Sequence, residues 1–414
     1  MSNSTGNNAL PPYSHELDWP EGLEPYRIID ETGSQSEPYE HYKWMRKNAP
    51  VLRVKHEDSD VWMISRFEDV RNALRKPKLF RSQVHEVQPL AFLTLMDNAD
   101  HTRLRTVVAA AFTPKNISAT EDLIREIAAE RLDAMIASRG GEVIENFARP
   151  LTMAMISSIV KIPIDDIDQV SFWADQMFTY FARIARNAPG LPNDEQHARD
   201  FFKYLNENLR RLYDEGSQSV GGNIARSWLD DGALTEQEAT ELCGFVFVSG
   251  FETTARLIAG AFRELHYNPS LLGRLRNEPD APARFVEELV RMRGPVHRVV
   301  RRTTEDTEMQ GIPIPAGSTL RLLIASANRD ESVWPHANEF DIDRKADGHF
   351  GFGYGIHTCL GAPLARLETL VTTQLLGQKV ASITFDHELD IVYLKGNSMI
   401  VGPETLRVDL VPSK

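Results

Sequence analysis

The sequence predicts a mainly α-helical protein with a minor β region, folded around one core. Three observations carry this. Apolar residues recur every three or four positions through most of residues 100–300. One of these stretches is long enough to cross a core from side to side. Alternating apolar and polar runs are confined to short pieces near residues 50–66 and after residue 300. A length of 414 residues would allow two or three domains. The punctuated segments 185–196 and 214–223 nevertheless read as helix connections, not as linkers between independent units.

The elements follow in order. Residues 1–20 are polar and rich in Asn, Ser and Pro, so a loose segment is expected there, with a single domain over 21–414. PVLRV and VWMISR predict a small sheet at 50–66, and FEDVRNALRKP a short helix stopped by Pro77. Ser118 and Glu121 have capping-box spacing before the helical run EDLIREIAAERLDAMIAS. Thr235 and Glu238 make a second box, opening a helix that runs past Arg263 to just before Pro269. MQGIPIPAGSTLRLLI and the last forty residues read as short strands.

Composition narrows the function. With 46 Lys and Arg against 59 Asp and Glu, the formal charge is −13, which argues against general nucleic-acid binding. The N-terminus has no secretory pattern, and the apolar stretch 242–251 is too short to span a bilayer, so a cytoplasmic monomer without a membrane anchor is expected. The two cysteines, Cys243 and Cys359, cannot form a disulfide framework or a clustered metal site.

Cys359 stands in HFGFGYGIHTCLGAPLARLE, where Phe352, Gly353, Gly355, His357, Cys359 and Gly361 form F-G-x-G-x-H-x-C-x-G. The glycines let backbone approach a large flat ligand. The helix that follows would aim its first N–H groups at the sulfur and favour a thiolate. A lone cysteine is by default a small core residue, a glycine loop before a helix can cradle phosphate, and a Cys–His pair can be nucleophilic. None of these accounts for Phe, three glycines, His and Cys together; a thiolate ligand to haem iron does.

With this motif the chain resembles the cytochrome P-450 superfamily, the haem-thiolate monooxygenases, in its soluble bacterial form. The resemblance implies the cytochrome P-450 fold, with a long central helix over a buried haem b (iron protoporphyrin IX). It makes Cys359 the axial ligand, with Phe352 and Gly361 around it and His357 near a propionate. Glu288 and Arg291 in EELVRMRG match the E-x-x-R signature, with Arg344 as the loop partner, a trio expected to brace the cysteine loop. SGFETT matches the family's small-G-x-acid-T-T segment, with Ser249 in place of the more familiar alanine. That match gives Glu252 and Thr253 a proton-relay role in dioxygen activation, against the plainer reading that Thr253 bonds back to a helical carbonyl. His101 and Arg105 in HTRLR, together with Arg301 and His349, are the expected propionate contacts; Arg302 is easily confused with Arg301.

The same resemblance makes 82–100 the loop that closes over substrate. Val84, Val87, Leu90, Phe92 and Leu93 make it apolar. Phe178 and Phe181 would form a roof, and Val248, Phe251, Val296 and His297 further walls. An apolar or amphipathic small organic substrate is implied, with His85 or His297 meeting one polar substituent. The implied reaction is hydroxylation or epoxidation with dioxygen and two electrons from NAD(P)H. These would arrive through a separate ferredoxin and ferredoxin reductase, docking at Arg103, Arg105, Lys345 and Arg366 on the cysteine side. Oxidative coupling, dehydrogenation and peroxide-driven oxidation are the alternatives on the same haem; a non-catalytic haem sensor or carrier is the alternative outside catalysis.

Overall fold

A capping box starts the longest helix. Thr235 Oγ1 accepts from the Glu238 amide at 3.1 Å, and the Glu238 carboxylate accepts from the Thr235 amide at 2.9 Å, satisfying donors that a first turn leaves free. The helix then runs Glu236–Tyr267 and stops where Pro269 drives the preceding residue out of the α region. It is the axis of the computed structural model, which describes residues 10–25, 37–56, 59–84, 90–184, 193–386, 390–393 and 399–413.

Helices Arg149–Val160, Asp194–Asp214, Val220–Leu229, Ala281–Arg293 and Ala362–Lys379 pack around this axis. Its close seat on Arg149–Val160 depends on Gly250, where an added Cβ would lie 2.5 Å from Ile156. One half of the core gathers Phe147, Leu151, Ile258, Phe262, Phe285 and Leu376; the other gathers Phe201, Leu205, Phe247 and Phe251. Among the described residues the central helix alone is long and apolar enough to cross a bilayer, and most of it is buried inside the protein.

The main sheet has five strands in the order Val51–His56, Ser59–Ile64, Thr319–Leu323, Arg298–Thr303 and Phe80–Arg81. Ser59–Ile64 pairs in parallel with Thr319–Leu323, Val61 opposite Thr319, so distant parts of the chain share one sheet. The last strand, Pro403–Pro412, pairs with Ile391–Tyr393, Gly140–Glu142 and Val380–Thr384. The mainly α fold with a minor β region is therefore as expected.

Two local expectations need correction. Ser118 does not cap the helix Glu121–Ala137: a short helix Pro114–Ser118, capped by Thr113, takes Ser118 as its last residue, and its hydroxyl donates to the Lys115 carbonyl. Part of the supposedly loose N-terminus is also tied down. The Trp19 ring stacks on Trp44 at 4.0 Å, and Arg53 lies over the Tyr13 ring at 3.8 Å, apolar and cation–π contacts that a composition-based reading of residues 1–20 cannot register.

Candidate active site

The cysteine loop is shaped by its own glycines and its neighbours. Gly353 and Gly355 both have φ +74°, a region open to glycine at little cost. The Gly353 amide donates to the Phe350 carbonyl and the Cys359 amide to the Phe352 carbonyl, each at 2.8 Å. Phe350 anchors the loop, stacked on Phe67 at 4.4 Å, and its amide donates to Asn328 Oδ1 at 2.7 Å. The helix Ala362–Lys379 begins just beyond, and the amides of Gly361 and Ala362 donate to the cysteine sulfur. Cys359 is open to solvent within the cleft while ringed by protein on its other sides. Burial pushes its thiol above the ordinary value, opposed by those two amides and by Arg105 and Arg366.

Facing this loop is the one open stripe of the central helix. Phe245, Ser249, Glu252 and Thr253 are half-buried or exposed, whereas Phe247, Val248, Phe251 and Thr254 are buried. Leu360 of the cysteine loop and Phe245 of the stripe both pack on the apolar cluster that holds Val246 and Val248. Thr253 Oγ1 donates to the Ser249 carbonyl at 3.3 Å, the plainer of the two expectations. The Glu252 carboxylate pairs with Arg256 at 2.5 Å.

The brace behind the loop is complete. Arg291 and Glu288, both fully buried, share two hydrogen bonds of 2.7 and 2.8 Å. Arg291 also donates to the carbonyls of Asn328 and Ala337, and Glu288 accepts from Arg344 Nε at 3.2 Å and the Asp341 amide at 3.0 Å. All three residues named from sequence meet.

One rim of the cleft gathers His101, Arg105, Arg301 and His357. The rings of His101 and His357 lie 4.4 Å apart, Arg105 donates to the Thr358 carbonyl at 2.6 Å, and His357 Nε2 meets Ser82 Oγ at 2.8 Å. Burial, followed by His357 and Arg105, lowers the pKa of His101 to about 4. Its Nε2 is buried with no partner among the described residues. Arg301 is buried, which lowers it to about 10, and among the described residues its side chain bonds only the Val300 carbonyl. An unpartnered ring nitrogen and a buried guanidinium at the edge of a cleft fit the two carboxylates of a large flat cofactor. Asp97, held down to about 2 by His357 and the Gln83 and Ser82 amides against its burial, joins this rim and was not anticipated; its place as N-cap of the helix carrying His101 was the available signal.

A model of the cytochrome P450 family matches residues 283–379, which span the E-x-x-R brace and the cysteine loop. The chain is 33% identical to cytochrome P450 109 of Bacillus spizizenii over 343 residues, 82% of this chain and 83% of that one. The chain belongs to the cytochrome P450 family. It is also 30% identical to mycinamicin IV hydroxylase/epoxidase of Micromonospora griseorubida, over 83% of this chain and 88% of that one. The crystal structure of CYP108D1 from Novosphingobium aromaticivorans superposes with a TM-score of 0.83 at 25% identity, over 93% of this chain and 97% of that one. The protein is a haem-thiolate monooxygenase that acts on a small organic molecule, and its central helix is the P450 helix that passes over the haem pocket.

Within that family fold several sequence assignments shift. His349 stands apart from the propionate rim, its Nε2 3.3 Å from Glu287, because its loop turns it toward Ala281–Arg293. His297 does not face the cleft: it is buried against the rings of Tyr39 and Tyr42, at 5.4 and 6.0 Å. Phe251 lies on the far side of the central helix beside Phe247, under Arg149 at 5.5 Å; the seat at Gly250 fixes that rotation. Val248 closes into the same core. The aromatic residue on the open stripe is Phe245, 5.1 Å from Phe92, which helical spacing from Ser249 would have indicated. Leu90 and Val84 are half-buried, Leu93 is buried in the core, and Val296 bridges Ile400. Arg302 turns the other way from Arg301 and donates to the Val84 carbonyl. Val87 and His85 lie outside the described residues, as do the side chains of Phe178 and Phe181.

Proposed function

We propose that Cys359 holds the iron of haem b, with His101, Arg105, Arg301 and His357 on the propionates and Glu288, Arg291 and Arg344 bracing the loop. The observation that carries this is the pairing of Cys359, open toward the cleft and receiving two amide hydrogen bonds, with the unpartnered His101 Nε2 and the buried Arg301 guanidinium at its edge. When bound, the haem supplies dioxygen activation, driven by electron release from the thiolate. The chain's part is to enclose and to deliver protons. Thr253 Oγ1 is the inward hydroxyl and the Glu252 carboxylate stands beside it, held by Arg256; together they pass protons into the cleft.

The half-buried Phe245 on the open stripe, packed 5.1 Å from the buried Phe92, and the half-buried Leu90 are apolar, which supports hydroxylation or epoxidation of an apolar or amphipathic molecule. The Micromonospora relative acts on a mycinamicin and a Pseudonocardia autotrophica relative, 29% identical, on vitamin D(3); a bulky, largely apolar substrate is the reading these support here. Electrons come from NAD(P)H through a ferredoxin and its reductase, in the cytoplasm.

Of the expected docking residues, Lys345 is kept in this reading, and two others are engaged elsewhere. Arg103 is bound to Glu238 and Asp100, and Arg366 to Glu287 while lying over Phe352. Lys345, Arg75, Lys76 and Lys78 are exposed, with no ion pair among the described residues. The last three follow Leu74, whose carbonyl lies 2.9 Å from where a Cβ on Gly355 would stand. An acidic ferredoxin would meet this basic edge of the cysteine loop despite a net charge of −13.

The test is spectroscopic. Purified protein, reduced and treated with carbon monoxide, should show the thiolate-ligated haem band, and Cys359→Ser should lose it while folding. Folded protein without haem, or a Cys359→Ser variant with an unchanged band, would refute the assignment.

A further inference from the structure

Of the four serine and threonine residues of the central helix, Thr240, Thr253 and Ser249 differ in what their hydroxyls do. Thr240 Oγ1 donates back to the Glu236 carbonyl at 2.9 Å, and Thr253 Oγ1 to the Ser249 carbonyl at 3.3 Å, the usual resting place for a hydroxyl inside a helix. Ser249 does neither. Among the described residues its hydroxyl has no hydrogen-bond partner. It is exposed, although Val246, Phe247, Val248 and Phe251 around it are all buried. The helix cannot rotate to hide it, because Gly250 sits against Ile156 with no room for a Cβ and Phe247 and Phe251 fill the opposite side. Ser249 therefore presents a free O–H to the cleft, one turn before Thr253 and on the same face.

The two hydroxyls are not equivalent. Thr253 already donates its hydrogen bond to a carbonyl and at rest is left to accept another, whereas the Ser249 hydroxyl can still donate. The outer atom of dioxygen, or of carbon monoxide as its probe, is an acceptor and needs a donor. We propose that Ser249 is that donor: a specificity-determining hydroxyl that hydrogen-bonds the diatomic molecule in the cleft, while Thr253 serves as the proton-accepting neighbour. The inference rests on the haem-thiolate reading above.

The haem-loaded wild type is compared with Ser249→Ala, Ser249→Thr and Thr253→Ala in the reduced, carbon-monoxide-bound form by infrared spectroscopy. A donor to the oxygen end weakens the C–O bond, so Ser249→Ala should move the C–O stretch to higher wavenumber and Ser249→Thr should restore it. Removing an exposed hydroxyl leaves the fold undisturbed, so haem content should be unchanged. With substrate, Ser249→Ala should release about five-fold more peroxide per NAD(P)H consumed, the factor expected for one hydrogen bond. If the Ser249→Ala band coincides with wild type, or if Thr253→Ala alone moves it, Ser249 is not the donor. A wild type with no thiolate band would instead overturn the haem reading itself.

Discussion

Replacing Glu288 by Ala is the most informative perturbation of the brace. In the folded protein Arg291 has no exposed side-chain surface and makes two bonds to Glu288 and two good ones to the carbonyls of Asn328 and Ala337. Removing the carboxylate leaves a buried guanidinium with no counter-charge, and also strands the Asp341 amide and Arg344 Nε. The expected loss is about 3–5 kcal/mol, a fifth or more of a typical total of roughly 5–15 kcal/mol. Arg291→Ala should cost a similar amount. Arg344→Ala removes only the outer partner of an intact pair, so about 1–2 kcal/mol is expected. The double variant Glu288→Ala, Arg291→Ala should cost less than the sum of the singles by roughly 0.5–3 kcal/mol. Urea unfolding followed by circular dichroism gives these differences, and the haem-to-protein ratio reports whether the loop still forms. Glu288→Ala within about 1 kcal/mol of wild type, below the range for a broken buried pair, or Arg344→Ala more damaging than Arg291→Ala, would refute the reasoning.

Three further outcomes are expected. Burial, then Arg298, lowers His297 to about 3, so the unfolded chain takes up a proton below its usual 6.5 that the folded protein refuses. Stability should therefore fall as pH drops from 6.5 toward 3, by about 1.4 kcal/mol per pH unit; His297→Gln should flatten that slope without changing substrate affinity, as titration in both variants would reveal. Glu368 is fully buried with neither oxygen bonded among the described residues, and burial holds its carboxyl well above the ordinary range. The folded state keeps a proton that the unfolded chain releases above about 4.5, so stability from this site falls as pH rises past that value; Glu368→Gln should be at least as stable as wild type at pH 8 in a thermal melt. Lys76→Glu with Lys78→Glu should slow reduction by an acidic ferredoxin at low salt, with the difference closing as ionic strength rises, whereas Arg103→Glu should leave the reduction rate near wild type; stopped-flow rates independent of salt in all variants would remove the docking edge.

The sequence alone determined the helical class, the long capped axis and the cysteine motif. These are legible because they depend on local rules: a capping box closes on residues three apart, and glycines declare a tight loop. The Glu288–Arg291–Arg344 brace was legible only through the family resemblance, since a Glu–Arg pair three apart on a helix is by itself as easily a surface pair. Only the tertiary structure decided which way side chains point and with whom charges pair. The close seat of Gly250 on Ile156 turned Phe251 into the core and left Phe245 and Ser249 to the cleft. Aromatic packing drew His297 toward Tyr39 and Tyr42. Glu238 and Glu287, remote in sequence, neutralised Arg103 and Arg366, and left Arg75, Lys76 and Lys78 beside the cysteine loop. Spacing along a chain fixes a residue's neighbours within its own element; the partners across a core are chosen by the rotation and seating of whole elements, which depend on every contact at once.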